Sequence, residues 1–199
     1  MSVLEFIILS IALSFEALIM MHGCAKQTPI KLTKGLGESF SIALVNAILI
    51  ALGLWMGGKL RFTPQVTDPD AVSTTKMWLE TDNLIYLGMT LFVAFRMLFG
   101  SKKRHNMARQ YDIEQFETAL LLGIAIGINT FIIGLALGFR ITFIDNVWRA
   151  TIPIVIIMTL FAFLGVMFGR QKKELRSRRY TLIAVLLLLA FALKSALWG

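Results

Sequence analysis

The sequence predicts an all-α integral membrane protein, with six transmembrane helices in a single membrane domain of residues 1–199. Only 16% of its residues are charged, whereas a typical soluble domain has about 25%. Six apolar stretches approach the roughly 20 residues that a helix needs to cross a bilayer. Because lipid cannot hydrogen-bond to backbone N–H and C=O groups, each stretch is expected to be helical. The stretches lie at about residues 2–21, 40–58, 83–100, 117–138, 149–169 and 180–198.

Prolines and charged residues mark the ends of these stretches. Pro29 follows the first stretch, and Pro64 and Pro69 follow the second. Glu117 is expected at the start of the fourth helix, where the helix dipole favours an acidic residue. Pro153 is expected in the first turn of the fifth helix, where its missing N–H costs little.

The basic residues are divided unequally between alternate loops. The first, third and fifth loops hold thirteen Lys and Arg residues, and the second and fourth hold five. The positive-inside rule then makes the first group cytoplasmic, with both termini outside. Four tryptophans are expected near the outer interface, which agrees with this orientation: Trp55, Trp78, Trp148 and Trp198. The net charge of +8 therefore indicates contact with a lipid bilayer and no nucleic acid.

The two halves of the chain, residues 1–100 and 101–199, resemble each other. Each half is predicted to contain three helices, so two copies would insert with opposite topology. Inverted repeats that surround a site near the bilayer midplane are a transporter architecture. The aligned segments are Ile11–Ala17 with Ile124–Thr130, and Gly53 and Gly57 with Gly165 and Gly169.

Glu16 is the most informative residue of the sequence, because it lies about 14 positions into the first apolar stretch. A carboxylate at that depth costs roughly 2.5–3.5 kcal/mol unless it is paired or faces water, so it is a functional candidate by default. Arg96 is expected at a similar depth in the third helix. A buried ion pair, in which Arg96 balances the charge of Glu16, is the competing structural interpretation.

Asn46, Asn129 and Ser14 are the other candidates for binding a substrate. Each could instead form a hydrogen bond within or between helices. One carboxylate with amide and hydroxyl oxygens suits a hard cation such as Mn²⁺ or Mg²⁺. The expected helix-packing residues are small residues that let helices approach closely, namely Gly53, Gly57, Gly123, Gly127, Gly165 and Gly169.

A group of soft side chains, Met20, Met21, His22 and Cys24, ends the first apolar stretch. Thioether, imidazole and thiol groups favour copper(I) or zinc. Neighbouring residues of a helix point in different directions, however, so the four are predicted to pack rather than to bind one ion. Cys24 is the only cysteine, which excludes an internal disulfide and a Cys-x-x-Cys motif.

These motifs resemble those of the MntP family, the small bacterial manganese efflux pumps of the LysE transporter superfamily. The first helix of that family carries Ser-x-Asp-Ala, and this chain has Ser14-Phe15-Glu16-Ala17. The third helix of the family ends in Gly/Ala-x-Arg-Met, here Ala94 to Met97, and the fifth ends in Gly-x-x-x-Gly-Arg, here Gly165 to Arg170. The resemblance covers nearly the whole chain. It implies a manganese exporter of the bacterial inner membrane in which acidic residues handle the metal.

Two positions depart from the family's pattern. Asn129-Thr130 stands where the fourth helix of the family has Asp-Ala, and Asn46 stands where the second helix usually has a glutamate. Of the three acidic positions that the resemblance implies, only Glu16 keeps an acid. This loss of charge is expected to weaken the attraction for a divalent ion.

The function predicted from these residues is export of a divalent cation, first of all Mn²⁺, with a counter-flowing proton as the coupling ion. Glu16 would be the principal ligand, and Asn46 and Asn129 would add neutral oxygens. Export of another solute, such as an amino acid or a monovalent cation, and a non-transporting accessory role remain alternatives. An enzyme is disfavoured because neither histidine is expected mid-membrane and no nucleophile–base pairing is evident. No cofactor is expected, and a homo-oligomer is left open.

Overall fold

The computed structural model describes residues 3–27, 31–60, 72–108, 116–139, 143–171 and 177–198. These residues form six α-helices and, within the described ranges, no β-strand. The all-α fold predicted from the apolar stretches is therefore confirmed. The helices are α1 (Val3–Ala25), α2 (Leu32–Lys59), α3 (Val72–Ala108), α4 (Phe116–Gly138), α5 (Phe143–Arg170) and α6 (Ser177–Trp198).

In the described part of the chain, five segments are long and apolar enough to cross a membrane. The sixth predicted span coincides with α6, a helix of 22 residues. The chain is thus a multi-pass membrane protein. The five spans are Val3–Ala25, Leu32–Lys59, Asp82–Gly100, Glu117–Gly138 and Asn146–Arg170.

Several helices begin earlier than the hydropathy pattern predicts, and the largest difference is at α3, which starts at Val72 and not at about residue 83. The helix α2 starts at Leu32 and α5 at Phe143, because backbone hydrogen bonding continues through polar turns that precede the apolar residues. The prediction that Pro153 lies in a first turn is therefore wrong, and Pro153 lies inside α5. Proline has no N–H, so the carbonyl of Arg149 one turn earlier has no intrahelical donor. Membrane helices tolerate this loss because neighbouring groups and local adjustments satisfy the freed carbonyl.

Other residues on which the sequence predictions rest lie outside the described residues. They are Pro29, Pro64 and Pro69, and the side chains of Trp78, Trp198, Arg61, Lys76, Lys102, Lys103, Arg104, Arg109, Arg140, Lys172, Lys173 and Arg176.

The main helix contacts keep the same pattern when the first three helices are exchanged with the last three, although the smaller contact of α1 with α3 has no counterpart of similar size between the described parts of α4 and α6. The helix α2 packs against α4 and α5, α1 packs against α5 and α6, and α3 packs against α6 and α4. The exchange converts the α2–α4 contact into the α5–α1 contact, and the α1–α6 contact into the α4–α3 contact. The two helices that carry Glu16 and Asn129, α1 and α4, exchange with each other.

Glycines form the closest helix contacts. A Cβ at Gly53 or Gly57 would meet the carbonyl oxygen of Phe131 or Leu135 on α4. Gly165 and Gly169 make equivalent contacts between α5 and α1. A Cβ at Gly165 or Gly169 would meet the carbonyl oxygen of Leu18 or His22 on α1. Small residues at these positions therefore let α2 lie against α4, and α5 against α1, at backbone distance.

Gly123 and Gly127 on α4 face α2 less tightly. A Cβ at Gly123 would lie 3.3 Å from Cβ of Val45, and one at Gly127 would meet the flexible end of Leu49. The outward faces of the bundle carry exposed apolar side chains, among them Ile48, Phe95 and Leu160. These are the surfaces that lipid would cover.

The start of α1 and the end of α6 are joined by an ion pair. Nζ of Lys194 lies 2.9 Å from Oε1 of Glu5. The Lys194 side chain is 53% exposed, so this pair contributes little to stability. It shows that α1 and α6 are adjacent and antiparallel.

Two alanine substitutions in α2 test the glycine contacts. Gly53→Ala is expected to lower the thermal unfolding midpoint of the purified protein, because the new Cβ meets backbone atoms of α4 that cannot rotate away. Overpacking of this kind costs about 1–3 kcal/mol. Gly37→Ala is the matched control, since nothing lies within 4 Å of its Cβ position. Its better helix propensity, worth about 1 kcal/mol, should leave the midpoint unchanged or raise it. Equal midpoints for the two variants would contradict the close α2–α4 packing.

Candidate functional site

Glu16 lies in the middle third of α1. It is about 13 residues from Val3 and about 9 from Ala25, so it sits roughly 20 Å and 14 Å from the two helix ends. Only 7% of its surface is exposed. A carboxylate at this depth needs hydrogen-bond donors or an opposite charge to remain ionised.

The structure supplies a donor from the other half of the chain. Nδ2 of Asn129, at the middle of α4, donates a hydrogen bond of 2.6 Å to Oε2 of Glu16. Asn129 is fully buried. These two candidates, which are 113 residues apart in the sequence, are therefore direct partners.

Arg96 joins the same network from α3. Its Nη1 donates a hydrogen bond of 2.6 Å to Oδ1 of Asn129. A guanidinium can only donate and an ionised carboxylate can only accept, so the amide must turn its oxygen to Arg96 and its nitrogen to Glu16. Asn129 thus bridges the two charged groups, and we call Glu16, Asn129 and Arg96 the charged triad.

Asn46 is the centre of a second, uncharged network next to the charged triad. Its Oδ1 accepts a hydrogen bond of 2.7 Å from the hydroxyl of Thr130. Its Nδ2 donates to the carbonyl oxygens of Ile42, at 2.9 Å, and Gly123, at 3.3 Å. Because Thr130 follows Asn129 in the chain, α4 contributes a side chain to each network from adjacent positions. Both the oxygen and the nitrogen of the Asn46 amide are therefore hydrogen-bonded to α4.

Ser14 does not contribute its hydroxyl hydrogen to this network. Its Oγ donates a hydrogen bond of 2.6 Å to the carbonyl oxygen of Ser10, one turn earlier in α1. Ser10 in turn donates to the carbonyl oxygen of Phe6, at 2.7 Å. This back-bonding within one helix is the usual behaviour of buried hydroxyls in apolar helices.

A small cavity borders Glu16 between α1, α3 and α6. It offers about 20 Å³ to the centre of a water molecule, which is room for about one water. Met20, Met97 and Thr181 line it together with Glu16 and apolar side chains. Of the charged triad, Glu16 alone is among the residues that line this space, and the surface that faces the space is apolar.

Sequence reasoning missed Thr130 and Thr181 as members of the site. Both are polar residues in apolar helices, and both are buried. That combination was the available signal, because a polar side chain in a membrane helix is expected to face the bundle interior. Met20 and Met97 carry no such signal, since methionine is a common residue of apolar cores.

The donor set of the site consists mainly of oxygen. Among the residues that the structure describes, no three His, Cys, Asp or Glu side chains converge as a metal cluster. One carboxylate, one guanidinium and neutral amides are the groups at hand. At such a site the negative charge of Glu16 can be balanced by Arg96, by a bound cation or by a proton.

The fold and this network define a class of protein: a multi-pass helical membrane protein with a buried carboxylate that is linked through an amide to a partly buried arginine. The family model "Mntp: Putative manganese efflux pump" matches residues 71–195, which is more than half of the chain. The chain belongs to this family. The matched region contains Arg96 and Asn129, whereas Glu16 and Asn46 precede it. No curated protein and no solved structure matches the chain.

Proposed function

We propose that this chain exports a divalent metal cation, first of all Mn²⁺, across the bacterial inner membrane and that Glu16 is the carboxylate that binds it. The observation that carries the proposal is the charged triad, in which helices from both halves of the chain surround one buried carboxylate. The family match supports manganese as the cargo and efflux as the activity.

We further propose that the two halves form an inverted repeat around this site. Gly53 packs against the carbonyl oxygen of Phe131, and Gly165 packs against the carbonyl oxygen of Leu18. Phe131 and Leu18 are 113 residues apart in the sequence. The same separation relates Glu16 to Asn129. A two-fold relation between the halves therefore pairs Glu16 with Asn129, the residue to which it is hydrogen-bonded. A binding site where inverted repeats meet near the midplane is the arrangement found in secondary transporters.

The charged triad suggests how binding is coupled to conformation. With no cation bound, Arg96 supplies positive charge through Asn129 and makes the burial of Glu16 tolerable. A divalent cation at Glu16 would supply that charge itself and would compete with Arg96 for the amide oxygen of Asn129. A proton on Glu16 would also neutralise it, which provides a route for a counter-flowing proton. Contacts of α3 with α4 would then differ between the loaded and the unloaded states.

The direction of transport rests on orientation. The asymmetry of basic residues between alternate loops supports a cytoplasmic location for the first, third and fifth loops, with both termini outside. The exposed tryptophans Trp55 and Trp148, near the end of α2 and the start of α5, support an outer interface at that end.

Removing the charge of Glu16 tests the function. We expect Glu16→Gln to abolish manganese efflux, measured as cellular manganese content in a host that lacks its own manganese exporter. Glutamine keeps the shape and can still accept the hydrogen bond from Asn129, so the protein should remain inserted at normal expression. Glu5→Gln is the control, because Glu5 lies at the helix end and pairs with Lys194. Efflux that survives in a normally expressed Glu16→Gln variant would show that Glu16 neither binds the cation nor carries a proton.

Cysteine labelling tests the orientation. In a Cys24→Ala background, which has no other cysteine, Leu60→Cys should react with a membrane-impermeant maleimide applied to intact cells. Gln27→Cys and Gln171→Cys should react only after the membrane is permeabilised. All three side chains are exposed, so burial cannot explain a difference between them. The opposite labelling pattern would reverse the topology and with it the proposed direction of transport.

A further inference from the structure

Asn46 is fully buried between α2 and α4 and is hydrogen-bonded through both atoms of its amide. Its nitrogen donates to the carbonyl oxygens of Ile42 and Gly123, and an amide nitrogen has only two hydrogens to donate. Its oxygen accepts a hydrogen bond of 2.7 Å from the hydroxyl of Thr130. Because the nitrogen faces two carbonyl oxygens and the oxygen faces a hydroxyl, the amide has one favourable orientation. In that orientation it links the two helices.

Thr130 lies on the face of α4 that packs against α2. A Cβ added to Gly127 or Gly134, one turn to either side of Thr130, would meet atoms of α2. Successive residues of an α-helix are about 100° apart around the axis. Asn129 therefore points away from this face, and it meets Glu16 on α1 instead. The rotation of α4 about its own axis thus determines both where Thr130 meets α2 and where Asn129 meets Glu16.

The pair of helices α1 and α5, which corresponds to α4 and α2 in the other half of the chain, has a different residue at this position. The separation of 113 residues that relates Glu16 to Asn129 makes Ala17 the equivalent of Thr130. An alanine side chain cannot form a hydrogen bond, although α5 approaches α1 at backbone distance, as α2 approaches α4. The link through a threonine hydroxyl is therefore specific to the helix that carries Asn129.

We propose that Thr130 and Asn46 are positioning residues of the cation site, which hold Asn129 in the orientation that meets Glu16. The inference rests on the proposed function, because it requires that Glu16 binds the transported cation. In this arrangement Asn46 acts through Thr130 and is not itself a ligand. Loss of the link lets α4 turn about its axis, and the site loses the alignment of the Asn129 amide with the Glu16 carboxylate.

The link has two competing roles, as part of a ligand and as packing alone. If Asn46 were a cation ligand, removal of the Thr130 hydroxyl would release its oxygen, and Mn²⁺ binding would not weaken. If the link served packing alone, its loss would reduce the fraction of folded protein and leave the affinity of the folded fraction unchanged. A positioning role predicts weaker binding by protein that is still folded.

The experiment measures Mn²⁺ binding to the purified full chain by calorimetry, in which the stoichiometry reports the folded fraction and the dissociation constant reports the site. For Thr130→Val we expect the Mn²⁺ affinity to fall about tenfold, on the scale by which metal sites respond to loss of a group that orients a ligand. The stoichiometry should not change. Thr130→Ser keeps the hydroxyl and should bind Mn²⁺ with the affinity of the wild type.

Thr90→Val is the matched control. Thr90 is also fully buried, but its hydroxyl donates to the carbonyl oxygen of Tyr86 within α3. The same chemical change should therefore leave the Mn²⁺ affinity unchanged.

The double variant Asn46→Leu/Thr130→Val extends the test if Thr130→Val yields no folded protein. It replaces both partners of the hydrogen bond by apolar groups of similar shape, which can be nearly neutral for stability. Its Mn²⁺ affinity should be about tenfold below that of the wild type, because the link is absent.

The outcomes separate this inference from the proposed function. If the wild type binds Mn²⁺ and Thr130→Val binds it at least as tightly as Thr90→Val, the positioning role is overturned and the proposed function stands. Equal weakening in Thr130→Val and Thr130→Ser would also overturn it, because the hydroxyl would not be the group that matters. A wild-type protein that binds no Mn²⁺ would overturn the proposed function and this inference with it.

Discussion

The hydrogen bond between Asn129 and Glu16 is the interaction on which the centre of this protein depends. An ionised carboxylate among apolar helices is unfavourable by several kcal/mol unless other groups replace its hydration. Here the amide of Asn129 does so directly and brings the charge of Arg96 to the network through its own oxygen. One polar side chain on α4 thereby ties a carboxylate on α1 to a cation on α3. A single amide therefore links three helices by hydrogen bonds.

The close packing around this triad follows from the glycines. Because Gly53 and Gly57 lie against carbonyl groups of α4, that helix is held at backbone distance from α2. The same approach brings Asn46 within hydrogen-bond distance of Thr130. Bulky residues at the glycine positions would separate the helices and leave the buried amide of Asn46 without one of its partners, a loss of about 1–3 kcal/mol. The close packing at the glycines and the hydrogen bond of Asn46 to Thr130 therefore depend on each other.

Hydropathy and the energetic cost of a buried charge were enough to predict the helices and to single out Glu16. They also placed Arg96 at a similar depth, because depth follows from position within an apolar stretch. The faces by which the helices pack against one another cannot be predicted from hydropathy or from depth in the membrane. The bridge through Asn129, the engagement of Asn46 by Thr130, and the cavity shared by Met20 and Met97 all depend on how helices from both halves rotate about their axes. The error at Pro153 has a similar origin, since hydropathy reports where apolar residues begin and not where backbone hydrogen bonding begins.

Whether the charged triad is the cation site can be measured from the Mn²⁺-dependent stabilisation of the variant Asn129→Asp. Aspartate replaces the donor to Glu16 with a second carboxylate, and Arg96 can balance only one of the two negative charges, so the other charge is left to favour a bound cation. Mn²⁺ is expected to raise the thermal unfolding midpoint of the purified variant by more than it raises that of the wild type, since affinity rises with the number of ligand charges. A folded Asn129→Asp protein whose midpoint does not change with Mn²⁺ would show that the triad is not a cation site, because two adjacent carboxylates at such a site would bind a divalent cation.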